Sequence, residues 1–543
     1  MKKSDLIRLM VFASAVITVI IWVRFNLPFI RPILEMPSFP FQLILAASVI
    51  AMLRTVIGIR TIGVFGPTII ALGLTSGGLV WGTLLYIDIF IFAMLATFAL
   101  YPLALDESHR VAIVITITAI VITILDVLGK IYRLELLEST QFFPVLITSW
   151  LADRFVIKVK EIDWVESSKQ LLGTIVVVII AYFVITTKPL VTFIALNPET
   201  WAVIILINVI TALKADFRLF EFFRFKPILE RGTTRTDILS MNRRNQDYIF
   251  RYNSIDLFPG VAKDKMKKSL HQLGIPAPET YGIIRSKSDL KYAEKIMQEE
   301  QSFVIKPASG SGGEGILVVE RKEHTEGIYV AKGRDYSITD LKNHINQILD
   351  GQYSSEWGDT AIIEERVKTD PVLSDFYWGG VPDVRIIVFE GFPVMAMTRL
   401  PTKESEGLAN IHKGAIGMGL SIAEGKGINP YWRGHGGAIE RHPDTNVLLT
   451  DMKIQNWSKY LEIACMAQAA SKLGYAGVDI VPTTRGPLIL EVNKRPGLEI
   501  QNTNLAGLLK RLEFVERRLP ENRFKPLQER IRLSQEWDKR GWK

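Results

Sequence analysis

Hydrophobic residues are distributed very unevenly along this chain. Long apolar runs fill the first 213 residues, whereas from about residue 235 short apolar segments alternate with polar ones. Runs of about the length that crosses a bilayer predict membrane helices. They lie at 6–23, 41–58, 62–76, 79–103, 110–128, 141–152, 170–187 and 199–213. The pattern therefore predicts an all-α polytopic membrane bundle followed by a domain of globular composition.

The charges that flank these runs predict an orientation. Lys2 and Lys3 precede the first run, the segment 153–169 is basic, and Lys214 follows the last run. Because cytoplasmic loops are enriched in lysine and arginine, we expect both termini in the cytosol, at a bacterial-type inner membrane. This orientation requires an even number of crossings: eight, or six if the runs that begin at residues 62 and 141 are re-entrant.

Two acidic residues interrupt the apolar runs. Asp88 and Asp126 each lie among aliphatic neighbours, and an acid in a membrane is costly. One interpretation is a polar pathway through the bundle. The other is a structural pair with a basic residue near a helix end, such as Arg54 or Arg60.

Composition narrows the possible classes of protein. The 543 residues are 48% hydrophobic and 22% charged, with a formal net charge of +8. The basic residues are expected to face a lipid bilayer, and no nucleic-acid partner is expected. The single Cys465 excludes an intrachain disulfide framework and a cysteine zinc site, and we expect it to be a small core residue.

The soluble part begins with a strand–loop–strand pattern between two amphipathic helices, at 284–299 and 337–350. Phe303–Pro307 is apolar, residues 310–315 formally fit G-x-G-x-x-G, and β-branched residues follow at once. A dinucleotide-binding loop requires a helix after the glycines, so we interpret this loop as a hairpin flap. Its backbone N–H groups could cover phosphates, with Lys306 at its base; the alternative is a glycine-rich surface turn.

Further along, three apolar strands carry charged residues. Ala361–Val367 ends in Glu364 and Glu365, and alternation places Asp383 and Arg385 on one face of the next strand. Arg399 ends the strand after that. Arginines in an acid-lined cleft bind phosphate or carboxylate through bidentate hydrogen bonds, although structural salt bridges would explain them equally well.

A β-hairpin near the end of this domain predicts a metal site. Its strands are Gly477–Val481 and Leu488–Asn493, separated by a short turn. A turn centred near residue 484 places Asp479 almost opposite Glu491, and Asn493 shares the face of Glu491. Three hard oxygen ligands on one patch suit Mg²⁺ holding phosphates; the alternative is two solvated acids on an ordinary hairpin.

In this order, the motifs resemble the ATP-grasp superfamily, and most closely the RimK-type α-L-glutamate ligase-like proteins and the sugar-transfer-associated ATP-grasp proteins. The resemblance covers 241–515. The matching motifs include Asn245 to Tyr252, Asp264–Lys265, Gly274 to Pro278, Lys306–Pro307, Asp383 to Arg385, Arg399 to Thr402, Ala409 to Gly417, His442 to Thr445, and Pro496–Gly497. It implies an α+β domain in which two α/β subdomains clamp ATP.

The resemblance also implies a reaction. An ATP-dependent carboxylate–amine ligase forms a C–N bond: the substrate carboxylate attacks the γ-phosphate to give an acyl phosphate, and an amine then displaces phosphate. The implied cofactors are ATP and two Mg²⁺ ions, and Mn²⁺ is an alternative to Mg²⁺. The substrates would be an amino acid or other amine and a carboxylate acceptor, and a homo-oligomer is compatible with the pattern.

Roles for individual residues follow from the same resemblance. Lys265 and Lys306 would contact the ATP phosphates, under a flap made by Gly310, Ser311, Gly312, Gly313 and Gly315. Glu364, Glu365 and Val367 would form the adenine hinge, and Asp479, Glu491 and Asn493 would hold the metal. Arg385 would steady the transferring phosphoryl group, and Arg399 and Asn410 would hold the substrate carboxylate. His412 would be a general base, although a substrate oxygen or water could also take the amine proton.

Two departures from the RimK-type pattern concern the substrate. Only a short soluble stretch precedes Asp264, where those enzymes carry an α/β domain that helps to shape the substrate pocket. Lys494 and Arg495 follow the metal ligands, where those enzymes have small residues. Two added cations suggest a more anionic substrate or a charge-balanced pocket, so glutamate is not established as the substrate.

The membrane half resembles, less specifically, the seven-helix domains of inactive-transglutaminase membrane proteins, through Gly58 to Thr61 and Phe65 to Pro67. The expected organisation is a membrane domain at 1–215, a cytosolic linker at 216–240, the ATP-grasp domain at 241–515 and a basic amphipathic tail at 516–543. That tail would lie on the anionic inner leaflet or form a solvated helix.

Three hypotheses of function remain from the sequence. The first is a membrane-anchored ligase that adds an amino acid such as glutamate to a peptide or envelope-associated acceptor. The second is an ATP-binding regulator of a transport bundle built around Asp88 and Asp126, without ligase activity. The third, a scaffold with a degenerate site, is opposed by the presence of Lys306, Asp479 and Glu491.

Overall fold

A computed structural model describes residues 3–34, 39–100, 107–132, 142–161, 164–254, 256–257, 263–309, 315–321, 327–331, 333–353 and 359–543. The chain divides into two compact units, Met1–Phe220 and Glu221–Lys543. This division falls close to the predicted end of the membrane domain.

The first unit is helical. Its helices are Lys3–Leu34, Phe39–Met52 with a π-helical turn Leu53–Ile57, Phe65–Gly77, Leu79–Leu100, Glu107–Tyr132, Phe142–Glu161, Trp164–Ile185, Lys188–Leu196 and Glu199–Lys214. Within the described residues, five helices are long and apolar enough to cross a membrane, or up to six if the helices on either side of the bend near residue 197 form one broken span.

The two short apolar runs have different structures. The run 62–76 becomes a buried helix, Phe65–Gly77, preceded by irregular backbone. Thr174 Oγ1 accepts a hydrogen bond from the Ile62 N–H at 3.0 Å, which helps to satisfy the non-helical backbone. The run 141–152, for which the sequence left open a crossing helix or a re-entrant segment, is part of the 20-residue helix Phe142–Glu161, and this helix also includes the start of the predicted loop at 153.

The two acids in the apolar runs have different surroundings. Asp126 forms an ion pair with Lys130, one helical turn away, at 2.7 Å, so its partner is neither of the arginines expected from the sequence. One of those, Arg60, binds Glu166 at 2.9 Å. Asp88 lies on an exposed face of its helix.

The second unit contains two antiparallel sheets. The first has the order β1-β6-β2-β3-β4-β5 and the second β11-β10-β9-β8-β7-β12-β13. The strands are β1 Thr280–Ile284, β2 Ser302–Pro307, β3 Leu317–Arg321, β4 Ile328–Ala331, β5 Arg334–Ser337, β6 Ala361–Glu365, β7 Asp383–Phe389, β8 Phe392–Leu400, β9 Ile416–Leu420, β10 Gly427–Trp432, β11 Gly437–Ala438, β12 Tyr475–Thr483 and β13 Gly486–Asn493. We call them the small sheet and the large sheet. The predicted strand–loop–strand pattern is confirmed, because β2 pairs with β3.

Each sheet buries one face under helices. Leu290–Glu299 and Ile338–Leu349 cover the small sheet, and Trp457–Ser471 covers the large sheet. Since side chains alternate along a strand, the helix-covered faces take residues such as Ile305 and Ile386. The opposite faces are left for the charged residues. Cys465 is buried in the core of the large sheet, as predicted.

The remaining helices of this unit are Leu219–Arg224, Lys226–Leu229, Met241–Arg243 with a π-helical turn Arg244–Ile249, Phe250–Tyr252, Lys263–Gln272, Ile500–Asn504, Leu508–Asn522 and Leu527–Lys539. The predicted boundary at residue 516 falls inside the helix Leu508–Asn522. The next helix buries Trp537 against Phe392 and Phe514, with ring centroids 5.5 and 5.3 Å apart. The apolar side of the tail is therefore part of the domain.

Candidate active site

The charged face of the large sheet begins with a row of three residues on neighbouring strands. Arg385 on β7 lies opposite Asp479 on β12, which lies opposite Glu491 on β13. The expected register of the hairpin is thus confirmed. Arg385 donates to both carboxylate oxygens of Asp479, from Nε at 2.6 Å and from Nη2 at 2.5 Å. This bidentate geometry is the strongest that an arginine–carboxylate pair forms.

A second arginine joins this row from β8. Arg399 donates from Nε to Asp383 Oδ1 at 2.7 Å, and from Nη2 to Asp383 Oδ2 and to Asp479 Oδ2, the latter at 2.9 Å. All four charged groups are largely buried. We call Asp383, Arg385, Arg399 and Asp479 the arginine–aspartate quartet. Its two positive and two negative charges balance, which makes burial of all four tolerable.

The two aspartates of the quartet respond differently to burial. Burial raises the pKa of Asp383 to about 6, with the nearby Asp479 carboxylate adding to the effect against the opposing charge of Arg399. Burial would also raise the pKa of Asp479, but the guanidinium groups of Arg385 and Arg399 bring it down to about 2. Asp479 therefore stays ionised at any physiological pH, as a metal ligand must.

Asn493 links the quartet to Glu491. Its Nδ2 atom donates to Asp479 Oδ2 at 3.1 Å and to Glu491 Oε1 at 3.0 Å. Two carboxylates and one amide oxygen form a hard donor set that fits Mg²⁺. Asp479 already accepts four hydrogen bonds, so Glu491, which is partly exposed, has the more available oxygens. Among the described residues, no group of three His, Cys, Asp or Glu side chains is arranged to hold a metal, so the amide of Asn493 would have to complete the set.

Two lysines share one carboxylate on the charged face of the small sheet. Lys306 on β2 and Glu364 on β6 share this face, with Nζ to Oε1 at 2.5 Å, and Lys267 contacts the other oxygen of Glu364. Burial lowers the pKa of Lys306 well below its usual range, and the positive charges of Lys267 and Lys263 lower it further. Burial also lowers the pKa of Lys267 to about 7, against the opposing negative charge of Glu365. Two cations on one anion attract a phosphate.

The helix Lys263–Gln272 brings Lys263 and Lys267, and not the predicted Lys265, to the charged cluster. Lys263 and Lys267 are one turn apart and share a face, with Lys263 Nζ at 4.0 Å from Glu491 Oε2. Lys265 is exposed on another face, and the structure does not bring it to the charged cluster. Lys263 therefore lies near Glu491 on the large sheet and close enough to Lys306 on the small sheet for its positive charge to lower the pKa of Lys306. The Asp264–Lys265 motif alone could not show which face of this short helix meets the cluster.

Of the two acids in the predicted adenine hinge, Glu364 forms buried ion pairs and Glu365 forms an ion pair nearer the surface. Glu364 faces the two lysines, whereas Glu365 contacts Arg485 on the turn between β12 and β13. Val367 is half-buried just after β6. Gly310, Ser311, Gly312 and Gly313 of the predicted flap lie outside the described residues. Gly315 is described, and its backbone carbonyl is 3.0 Å from the His344 ring.

The predicted substrate residues lie on loops after the strands. Asn410 Oδ1 accepts the His412 N–H at 3.0 Å and so caps a short 3₁₀ turn. His412 is exposed and contacts Arg433. Lys494 and Arg495 are exposed directly after β13. The roles predicted for all four residues stay predictions.

Sequence reasoning missed two residues of this cluster, Lys263 and Lys267. It did place Asp383 beside Arg385, by alternation on β7, but gave Asp383 no role of its own; the structure pairs it in register with Arg399. The signal for the lysines was their spacing of four residues, which places them on one face of a helix.

The part of the chain that carries this site matches a known protein family. Residues 243–517, half of the chain, match the family described as sugar-transfer associated ATP-grasp, and the chain belongs to this family. Residues 32–229 match the family described as seven transmembrane helices usually fused to an inactive transglutaminase. With its apolar helices, this match identifies a membrane protein.

Individual relatives cover only part of the chain. Ribosomal protein bS6–L-glutamate ligase of Escherichia coli O7:K1 (strain IAI39) is 27% identical over 263 residues, which are 47% of this chain and 64% of the relative. A probable α-L-glutamate ligase of Coxiella burnetii is 45% identical over 60 residues, 10% of this chain and 19% of the relative. Among solved structures, D-cycloserine synthetase is 14% identical with a TM-score of 0.30, covering 55% of this chain and 95% of its own.

Proposed function

We propose that this protein is a membrane-anchored ATP-dependent carboxylate–amine ligase that forms an amide bond through an acyl phosphate. One observation carries the proposal: the buried Lys306–Glu364–Lys267 cluster on one sheet is joined through Lys263 to Glu491 and the arginine–aspartate quartet on the other. A phosphate site and a metal and arginine site are thus neighbours. The similarity to glutamate ligases supports an amino acid such as glutamate as one substrate.

The residues on the small sheet would bind the nucleotide. The two lysines share the single carboxylate of Glu364, and an ATP phosphate would balance the remaining positive charge. Because Glu364 fixes their positions before ATP arrives, little ordering remains to be done on binding. Glu365 and Val367 would line the adenine side, and the flap from Gly310 to Gly315 would cover the phosphates.

The residues on the large sheet would organise the transfer. Asp479, Glu491 and Asn493 would hold Mg²⁺, which, when bound, neutralises phosphate charge; two ions, or Mn²⁺ in their place, would suit the same oxygens. Arg385 spends two of its five N–H donors on Asp479. The guanidinium is therefore held rigidly, and its other donors could stabilise charge on the transferring phosphoryl group.

The acceptor side would be formed by Arg399 and the loops beyond it. Arg399 is fixed by Asp383, so it could hold a carboxylate together with Asn410. His412 could take the amine proton. A peptide or envelope-associated acceptor fits a membrane-anchored enzyme, and the cytosolic side of a bacterial inner membrane fits the use of ATP. Lys494 and Arg495 would favour an acceptor with more than one negative charge.

The test uses the full-length protein in bilayer nanodiscs with ATP, Mg²⁺ and panels of carboxylates and amines. A ligase should release phosphate only when a carboxylate is present. With hydroxylamine replacing the amine, it should form the hydroxamate expected of a trapped acyl phosphate. Glu491→Ala should abolish both signals, whereas Lys265→Ala on the exposed face should retain them.

The opposite result would favour the ATP-binding regulator. Phosphate release that is indifferent to every carboxylate, with no hydroxamate, would contradict ligation. If solute flux through vesicles also required Asp88, the transport hypothesis would replace the ligase.

A further inference from the structure

The segment Glu221–Arg235 has one face locked into the ATP-grasp unit. Phe225 and Ile228 are fully buried. The carboxylate of Glu221 accepts the Met241 N–H at 2.8 Å, and Arg224 forms a largely buried ion pair with Glu499 at 2.9 Å. The sequence predicted a cytosolic linker at 216–240, and these contacts hold this part of it against the folded unit.

The other face of this segment is aromatic and exposed. Phe223 is 74% exposed and Phe222 is 38% exposed, with the guanidinium of Arg235 lying 5.7 Å from the Phe222 ring. Adjacent exposed phenylalanines opposite a buried face indicate a contact surface. We call the exposed side chains within Phe222–Arg235 the aromatic–basic face.

The exposed charges of this face are mainly positive. Lys226, Arg231 and Arg235 are exposed, against a single exposed acid, Glu230. Aromatic side chains with lysine and arginine at their edges are the composition of helices that lie in the headgroup region of anionic bilayers. A protein partner of neutral or basic surface would not be matched by this excess of positive charge.

The position of this face along the chain points to the same occupant. The apolar helix Glu199–Lys214 ends shortly before it, separated from Phe222 by residues 215–221. A chain that leaves a bilayer reaches the headgroup region first. We propose that the aromatic–basic face lies in the headgroup region of an anionic bilayer, with Phe223 inserted between the lipids.

Side-chain contacts connect the segment that carries this face to the residues that follow β13 of the candidate active site. Gln501 binds both the N–H and the C=O of Leu239, at 2.8 and 3.1 Å, and Glu499 holds Arg224. These residues follow the metal-ligand strand, which ends at Asn493. The anchored face and the end of the catalytic strand therefore belong to one packed structure, so an acceptor that is itself held in a membrane would meet the site without free diffusion.

The test places a probe on the face in the full-length protein. Cys465 is the sole cysteine, and burial raises the pKa of its thiol to about 12, so a new surface cysteine can be labelled selectively. Phe223→Cys is compared with Tyr292→Cys, which is 52% exposed on a helix of the small sheet. Each carries a fluorophore in nanodiscs containing phosphatidylglycerol and a phosphatidylcholine spin-labelled near the headgroup.

The spin label should quench the probe at residue 223 by roughly twofold or more and leave the probe at residue 292 bright. Replacing phosphatidylglycerol with phosphatidylcholine should weaken the quenching at 223. Equal intensity at the two positions, or quenching at 223 that ignores the lipid charge, would overturn the proposal.

A second measurement avoids the dye. The unlabelled Phe223→Cys thiol should react with a charged, membrane-impermeant maleimide roughly tenfold more slowly than that of Tyr292→Cys in the same nanodiscs. Equal rates would also overturn the proposal. Neither readout uses ATP or a substrate, so the result is independent of the proposed ligase activity.

Discussion

At the scale of single residues, the quartet explains how two arginines can be buried beside the proposed metal ligands. Asp479 accepts from both Arg385 and Arg399, and Asp383 holds Arg399 from the other side. Removing one member leaves another charge buried and unpaired, which costs more than the pair contributes. In the proposed ligase, Asp383 would therefore be a positioning residue, because it would act on a substrate only through Arg399.

This role predicts a pH dependence. The pKa of Asp383 is raised to about 6, so the carboxylate is ionised above that pH and becomes protonated below it. Protonation removes the negative charge that fixes Arg399, and we expect kcat to fall on the acid side with an apparent pKa of about 6. Asp479, with a pKa of about 2, stays ionised throughout and does not contribute to this limb.

The Asp383→Asn variant checks the assignment. Asparagine keeps the shape but cannot titrate, so we expect a lower kcat whose acid limb is flattened between about pH 5 and 7. A pH–rate profile measured for both proteins gives the answer. An unchanged acid limb in the variant would assign the titration to another group.

The two faces of the helix Lys263–Gln272 give a second prediction with a built-in control. Lys263→Met should weaken ATP binding by roughly tenfold, because it removes a cation beside Glu491 and the lysine cluster. Lys265→Met removes the same charge from an exposed position and should bind ATP nearly as the unmodified protein does. Calorimetric titration with a non-hydrolysable ATP analogue measures both. Equal losses would restore Lys265 to the site.

At the scale of elements, the last helix is part of the large-sheet core. Trp537 packs against Phe392 and Phe514, and Ile531 is buried in the same core. Trp537→Ala should therefore destabilise the ATP-grasp unit by roughly 3–5 kcal/mol. Phe524→Ala removes a side chain that is 93% exposed and should change stability by less than about 0.5 kcal/mol.

Amide hydrogen exchange on β7 and β8 would separate these outcomes, because it reports the free energy of unfolding of this unit in the presence of the membrane helices. The Trp537→Ala variant should exchange much faster than Phe524→Ala. Similar rates for the two variants would mean that the tail helix folds separately from the sheet.

Local patterns predicted the elements better than their boundaries. The hairpin of β12 and β13 has its expected register, because strand alternation and a short turn fix which residues face each other. The packing of the tail could not be predicted because its charged residues are interspersed with apolar ones whose partners, such as Phe392, are distant in sequence. The positions of Lys263 and Lys267 beside the charged cluster could not be predicted for a similar reason: packing decides which face of a helix meets a cleft.

At the scale of the whole molecule, a membrane unit and a catalytic unit are joined through a segment that the sequence suggested was a linker. The ion pair between Arg224 and Glu499 joins residues that are 275 positions apart, and Asn502 donates to the same carboxylate at 2.7 Å. This pair fixes the start of the second unit to the helix that follows the metal-ligand strand.

Breaking this pair gives the last prediction. Glu499→Gln leaves Arg224 buried without its anion and should destabilise the second unit by roughly 3–5 kcal/mol. The single variant Arg224→Met and the double variant Arg224→Met, Glu499→Gln complete a cycle, and the double variant, which removes both charges, should recover most of that loss. Hydrogen exchange measures the four proteins of this cycle, and additive effects of the two changes would show that the two residues are not coupled. Strong coupling would establish that the segment leaving the membrane is held by the same structure that carries the metal ligands.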